Sequence, residues 1–256
     1  MRASPRWIWA LALLPLLLFG LPLLALSLEA KSSGELGAAL TSPLVLDALR
    51  VSLLTTTLAL FLTVLFGTPL AWILARKPFP GRSLVNTLVD LPLVLPPAVA
   101  GVALLMAFGR NGLWGGLFSE NGLAFSATAV VLAQIFVAAP FYIRSATTGF
   151  RAVPFQLEEV ALSLGASRSR VFREITLPLA RPALISGAVM CWTRALGEFG
   201  ATIMFAGSLP GETQTMPLAI YAAMESNWAE ALALSMLLIL TSVLVLLAIR
   251  RVKHAA

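Results

Sequence analysis

Histidine and cysteine are almost missing from this chain of 256 residues, which holds one of each, His254 and Cys191. A single cysteine cannot form an intrachain disulfide, and a zinc site built from cysteine and histidine has no material. No Ser-His-Asp arrangement or nucleophile elbow can be assembled either. Lysine is nearly as scarce: its three occurrences follow Ala30, Arg76 and Val252. None completes G-x-x-x-x-G-K-[ST], whose glycines cradle phosphate and whose lysine reaches it. If ATP drives this protein, another polypeptide hydrolyses it. The chain offers no metal cluster and no cofactor motif, and an enzyme active site is not expected.

Charge is the next shortage. Charged residues make up 12% of the chain and hydrophobic ones 59%, far from the balance of a soluble domain. A span needs about 20 apolar residues to cross roughly 30 Å of hydrocarbon. Six stretches qualify, near 7–28, 47–75, 84–108, 123–143, 183–207 and 230–249. The expected fold class is an all-α integral membrane protein with six transmembrane helices. The first run exceeds the apolar core of a usual leader peptide and reads as a retained span, although small residues at Ala25 and Ser27 also suit cleavage.

The net charge of +6 is distributed to one side. With both termini inside, the inner segments hold Arg2, Arg6, Arg76, Lys77, Arg82, Arg144, Arg151, Arg168, Arg170, Arg173, Arg181, Arg250, Arg251 and Lys253, 14 of the 18 basic residues. That asymmetry is the positive-inside signature of an N-in, C-in protein facing anionic lipid. It is not a nucleic-acid patch. Trp7, Trp9 and Trp72 fall near the inner boundary and Trp114 and Trp228 near the outer one, as interfacial anchors do.

One inner loop, 144–182, carries a polar, basic island, E-E-V-A-L-S-L-G-A-S-R-S-R-V-F-R-E-I-T-L-P at 158–178. Pro154 suits a first helical turn, and Leu157, Val160, Ala161 and Leu164 then share one face. Glu158 and Glu159 lie early in this helix, where the dipole favours negative charge. Gly165 can take the left-handed conformation that ends it. Ser167 or Ser169 can cap a second short helix with Val171, Phe172 and Ile175, which Pro178 interrupts. On periodicity alone this is either a solvated interfacial loop or a docking surface for a soluble partner.

The spacing narrows the choice. E-x-A-x-x-x-G at Glu159, Ala161 and Gly165, followed after nine residues by I-x-L-P at Ile175, Leu177 and Pro178, resembles the EAA loop of ABC-importer permeases. Val160 stands where that loop usually has its first alanine. Two further stretches, D-L-P-L-V-L-P-P-A-V-A-G at 90–101 and R-A-L-G-E-F-G-A-T-I-M-F-A-G at 194–207, with P-G-E-T-Q-T-M-P-L-A-I-Y at 210–221, are similar to molybdate permeases. The resemblance implies a single permease domain over 1–256 with its core at 47–250. It further implies a homodimer in the bacterial cytoplasmic membrane, two copies of a cytoplasmic ABC ATPase, and an extracytoplasmic molybdate-binding protein. Sulfate or another oxyanion fits the same architecture. A gradient-driven secondary transporter and a passive scaffold fit less well.

Candidates for the transport path come from polar and helix-breaking residues inside spans. Pro92, Pro96 and Pro97 must kink or break the third span, either for packing or to line a path. Arg194, Glu198 and Thr202 recur every four residues and are expected on one face of the fifth span, as a locking ion pair or as a polar stripe. Gln214 offers a neutral hydrogen bond near the outer mouth.

Overall fold

The computed structural model describes residues 6–32, 34, 36–115 and 122–255. Arg2 lies outside the described residues, as do the side chains of Arg6, Trp7, Trp9, Arg250, Arg251, Lys253 and His254. The named elements among the described residues are all helical, joined by turns: α1 Arg6–Ser32, α2 Leu36–Ala39, α3 Pro43–Arg76, α4 Arg82–Val94, α5 Pro97–Phe108, α6 Ala127–Ala152, α7 Phe155–Ser163, α8 Arg168–Val171, a π-turn Phe172–Thr176, α9 Leu177–Leu196, α10 Gly200–Phe205, α11 Met216–Ser226 and α12 Trp228–Ala255.

Five helical runs among the described residues are long and apolar enough to cross a membrane: Leu11–Ser32, Pro43–Arg76, Ala127–Ala152, Arg168–Leu196 and Trp228–Val245. The predicted third span is instead two pieces. Leu95 and Pro96 are extended, and α5 restarts on Pro97, whose missing amide hydrogen costs nothing at a first turn.

The predicted fifth span needs correcting at both ends. Pro178 does not interrupt the inner helix. Upstream of it the backbone widens into the π-turn, with the Leu177 amide donating to the Phe172 carbonyl, and the run continues to Leu196. One inserted turn absorbs the proline that cannot donate. At the far end the helix stops before Gly197, and α10 begins at Gly200. Arg194, Glu198 and Thr202 therefore do not lie along one continuous helix face. Helix α11, within a stretch expected to be loop, starts at Met216 with Pro217 in its first turn.

The core is the packing of α6 against α3 and α9. Small residues make it possible. A Cβ added at Gly149 would lie 2.5 Å from Ala183 Cβ, and one at Gly187 would lie 2.7 Å from Ser145 Cβ. With no hydrophobic driving force between helices in lipid, such close backbone approach and interhelical hydrogen bonds hold a bundle together. The Ser145 hydroxyl donates to the Ala183 carbonyl at 2.7 Å, and the hydroxyls of Thr68 and Tyr142 bond at 2.6 Å between α3 and α6. Helix α1, by contrast, is almost wholly uncovered along its apolar run, as expected of lipid-facing surface.

Candidate functional site

The elbow carried by the 144–182 loop is built on α7. Its first turn follows Pro154, and its end is set by Gly165, where φ is +87°. The Ala166 amide reaches the Ala161 carbonyl and the Gly165 amide the Leu162 carbonyl, each at 3.0 Å, which satisfies the last carbonyls of the helix. Ser167, not Ser169, caps the next helix by accepting from the Arg170 amide. The helix start after Pro154 and the turn at Gly165 were expected from the sequence, which left the next cap open between Ser167 and Ser169.

Its apolar face is left open. Leu157, Val160 and Leu164 are 47%, 57% and 82% exposed, with Ala161 half-buried among them. Glu159 and Pro178 are exposed, and Ile175 and Leu177 are half-buried. Leu157, Val160 and Leu164 thus form an exposed apolar strip on an otherwise polar, basic loop.

Glu158 points the other way. Its Oε1 accepts from Arg76 Nη2 at 2.8 Å and from the Thr176 hydroxyl at 2.8 Å, while Arg76 Nη2 also donates to the Val153 carbonyl at 2.9 Å. The carboxylate therefore ties α7 both to the end of α3 and to the π-turn before α9. Placing Glu158 in a favourable helix dipole described only part of this. The partner lies 82 positions away in sequence.

A second constellation gathers where two helices break. A Cβ on Gly200 would fall 2.7 Å from Pro97 Cβ, and one on Gly101 would fall 2.6 Å from Met204 Cβ. Thus α5 and α10, the pieces beyond the two breaks, touch nearly backbone to backbone. Glu198 is 1% exposed, pairs with Arg194 at 2.6 Å and accepts from the Ala201 amide at 2.8 Å, so it closes the break as well as balancing the arginine. Pro96 stands at the neighbouring break. Thr202, within α10, is buried with an unpartnered hydroxyl.

Gln214 is buried and donates to the Ser208 hydroxyl at 3.1 Å. The Met216 amide donates to Ser52 Oγ at 2.7 Å, fastening the start of α11 to α3. Gln134 of α6 reaches Thr56 Oγ1 at 3.3 Å with its own carbonyl oxygen unpartnered. Ser52, Thr56 and Gln134 were not singled out from sequence, although polar groups in apolar spans are the signal for such contacts. Arg144, expected as a loop charge, sits within α6 and binds Asp90 and Asn86 of α4. Among the described residues no group of three His, Cys, Asp or Glu could hold a metal.

Over residues 67–254 the sequence matches the family described as binding-protein-dependent transport system inner membrane component. The chain belongs to that family. It is 41% identical to the molybdenum transport system permease protein ModB of Mycobacterium tuberculosis over 96% of this chain and 93% of that one. The ModB of Escherichia coli K12 is 42% identical over 72% of this chain and 82% of its own length. The molybdate/tungstate permease protein WtpB of Thermococcus kodakarensis is 46% identical over 65% and 63%.

Among solved structures, a bacterial alginate ABC transporter complexed with its alginate-bound periplasmic protein superposes with a TM-score of 0.74, covering 97% of this chain and 93% of that chain at 18% identity. The MetNI methionine ABC transporter in an inward-facing form gives 0.61 over 83% and 95%, also at 18%. At that identity the likeness establishes the fold alone. This member of the family is a multi-pass, all-α inner-membrane component with the architecture of a type I ABC importer permease.

Proposed function

We propose that the chain is the membrane subunit of an ATP-driven importer of molybdate or tungstate. The reading is carried by 41% identity over nearly the whole chain to a molybdenum transport permease. It draws further support from the uncovered apolar face of α7, which leaves room for a protein partner.

Two copies of the chain form a homodimer around a central path, with both termini and α7 in the cytoplasm. Two copies of an ABC ATPase grip the two α7 elbows, and an extracytoplasmic molybdate-binding protein delivers the oxyanion. ATP draws the ATPases together. Their approach moves α7, and the Glu158 ties carry the motion to α3 and α9, opening the path outward. Hydrolysis resets it. Substrate choice rests mainly with the binding protein, and in the permease Pro96, Pro97, Arg194, Glu198, Thr202 and Gln214 are the candidate path residues. A dianion needs donors that bind weakly enough to release it.

The test is uptake of labelled molybdate into vesicles holding the permease, its ATPase and its binding protein, with molybdate, tungstate and sulfate as competitors. ATP-dependent uptake blocked by unlabelled molybdate or tungstate but not by sulfate is the expected result. Equal competition by sulfate would assign a broader oxyanion permease, and uptake without any ATPase would sink the ATP-driven mechanism.

A further inference from the structure

Between the lower half of α3 and the elbow lies a cleft of about 780 Å³, within the roughly 300–1,000 Å³ of ordinary ligand pockets. Val64, Leu65 and Trp72 of α3 form one wall, and Phe155, Leu162 and Phe172 the other. The face of α7 offered to a protein partner is a different one. Two basic residues, Lys77 and Arg168, also line the cleft. Neither belongs to any of the ion pairs among the described residues, whereas the third cation there, Arg76, is neutralised by Glu158. The Lys77 ammonium sits 5.9 Å from the centre of the Trp72 ring, so the charge stands beside an amphipathic indole.

The shape of the cleft says what fits. From Val64 to Lys77, α3 rises about 20 Å at 1.5 Å per residue, against a half-bilayer of hydrocarbon of about 15 Å. Its apolar end therefore lies at acyl-chain depth and its cationic end at headgroup depth, where a tryptophan belongs. A non-helical segment of a soluble protein entering from the water cannot reach Val64 without burying unpaired backbone polar groups in hydrocarbon. An amphiphile with a long apolar tail and a negative head matches both ends.

We propose that this cleft binds one anionic phospholipid, with an acyl chain lying along Val64, Leu65 and Phe172 and the phosphate at Lys77 and Arg168. Bound there, the lipid packs against the same elbow that Glu158 tethers, and so braces α7 against α3.

The experiment is native mass spectrometry of the full-length permease from mixed micelles containing phosphatidylglycerol or phosphatidylcholine of identical acyl chains. The wild type should retain phosphatidylglycerol preferentially. The double variant K77Q/R168Q should lose the preference, each basic group contributing about fivefold to an anionic surface. Leu65→Trp, which fills the apolar end, should lower retention of both lipids while the double variant leaves phosphatidylcholine untouched. Thermal unfolding of lipid-free samples identifies a variant that fails to fold, and Val64→Phe then replaces Leu65→Trp. Equal retention of the two lipids by the wild type, or unchanged preference in the double variant, would overturn the proposal. So would expulsion of the lipid on adding the ATPase or on dimerisation, which would assign the cleft to a protein occupant.

Discussion

Glu158 leaves the exposed helix α7 to meet Arg76 at the end of α3, Oε1 to Nη2 at 2.8 Å, with both side chains only 13% exposed. Removing one partner from such a pair leaves the other charge largely buried and unanswered. That costs roughly 1–3 kcal/mol here, less than for a fully enclosed pair because water reaches the cleft. Glu158→Ala should lower the unfolding temperature in detergent and, on the proposed mechanism, reduce molybdate moved per ATP hydrolysed. The charge reversal E158R/R76E should recover part of both losses. A double variant no better than the sum of its parts would show that the pair does not couple.

Gly165 can be tested separately from packing. A Cβ there meets nothing within 4 Å, so a substitution acts through its φ of +87° alone. Forcing a branched residue into that region costs about 1–2 kcal/mol, while asparagine visits it readily. Gly165→Val should raise futile ATP turnover in the reconstituted transporter, and Gly165→Asn should stay close to wild type. Indistinguishable coupling ratios for the two would count against the elbow's geometry as the cause.

At the helix breaks the prediction reverses, because space and not φ is limiting. Gly200→Ala would drive its Cβ to 2.7 Å from a proline ring carbon that cannot swing away. Overpacking of this kind typically costs about 1–3 kcal/mol. A drop of several degrees in unfolding temperature is expected for Gly200→Ala, and a comparable one for Gly101→Ala. Calorimetry or a fluorescence melt of the purified permease reads it directly.

Glu198 has two jobs that substitution can separate. Glutamine keeps an oxygen for the Ala201 amide and gives up only the charge balance with Arg194, whereas alanine gives up both. Glu198→Ala should therefore be destabilised more than Glu198→Gln in the same melt, by about 1 kcal/mol, the net worth of a typical hydrogen bond. Equal loss in both would mean that the carboxylate acts through its charge alone.

The positions of most spans were legible because hydrocarbon demands long apolar runs, and that demand is written locally. The ends of α7 were legible for a similar reason: Pro154 and Gly165 act within a few residues of themselves, whereas the choice of Ser167 over Ser169 as the next cap was not. The route around Pro178 was not. A proline inside an apolar run either ends a helix or is absorbed by a wider turn. The choice depends on whether the downstream segment can pack, as α9 does against α6 through Ser145, Ala183 and Gly187.

The same limit applied to the Arg194, Glu198 and Thr202 row, which assumed an unbroken helix across Gly197. Sequence by itself determined that this chain is a membrane bundle, that its basic residues gather in alternate loops, and that it carries an elbow of family-typical spacing. Only the tertiary structure decided that Glu158 belongs to Arg76, that Arg144 belongs to Asp90, and that two broken helices meet at Pro97 and Gly200. Periodicity reports which residues share a face, but partners far apart in sequence are chosen by how the helices cross, and that is settled by packing the whole bundle at once.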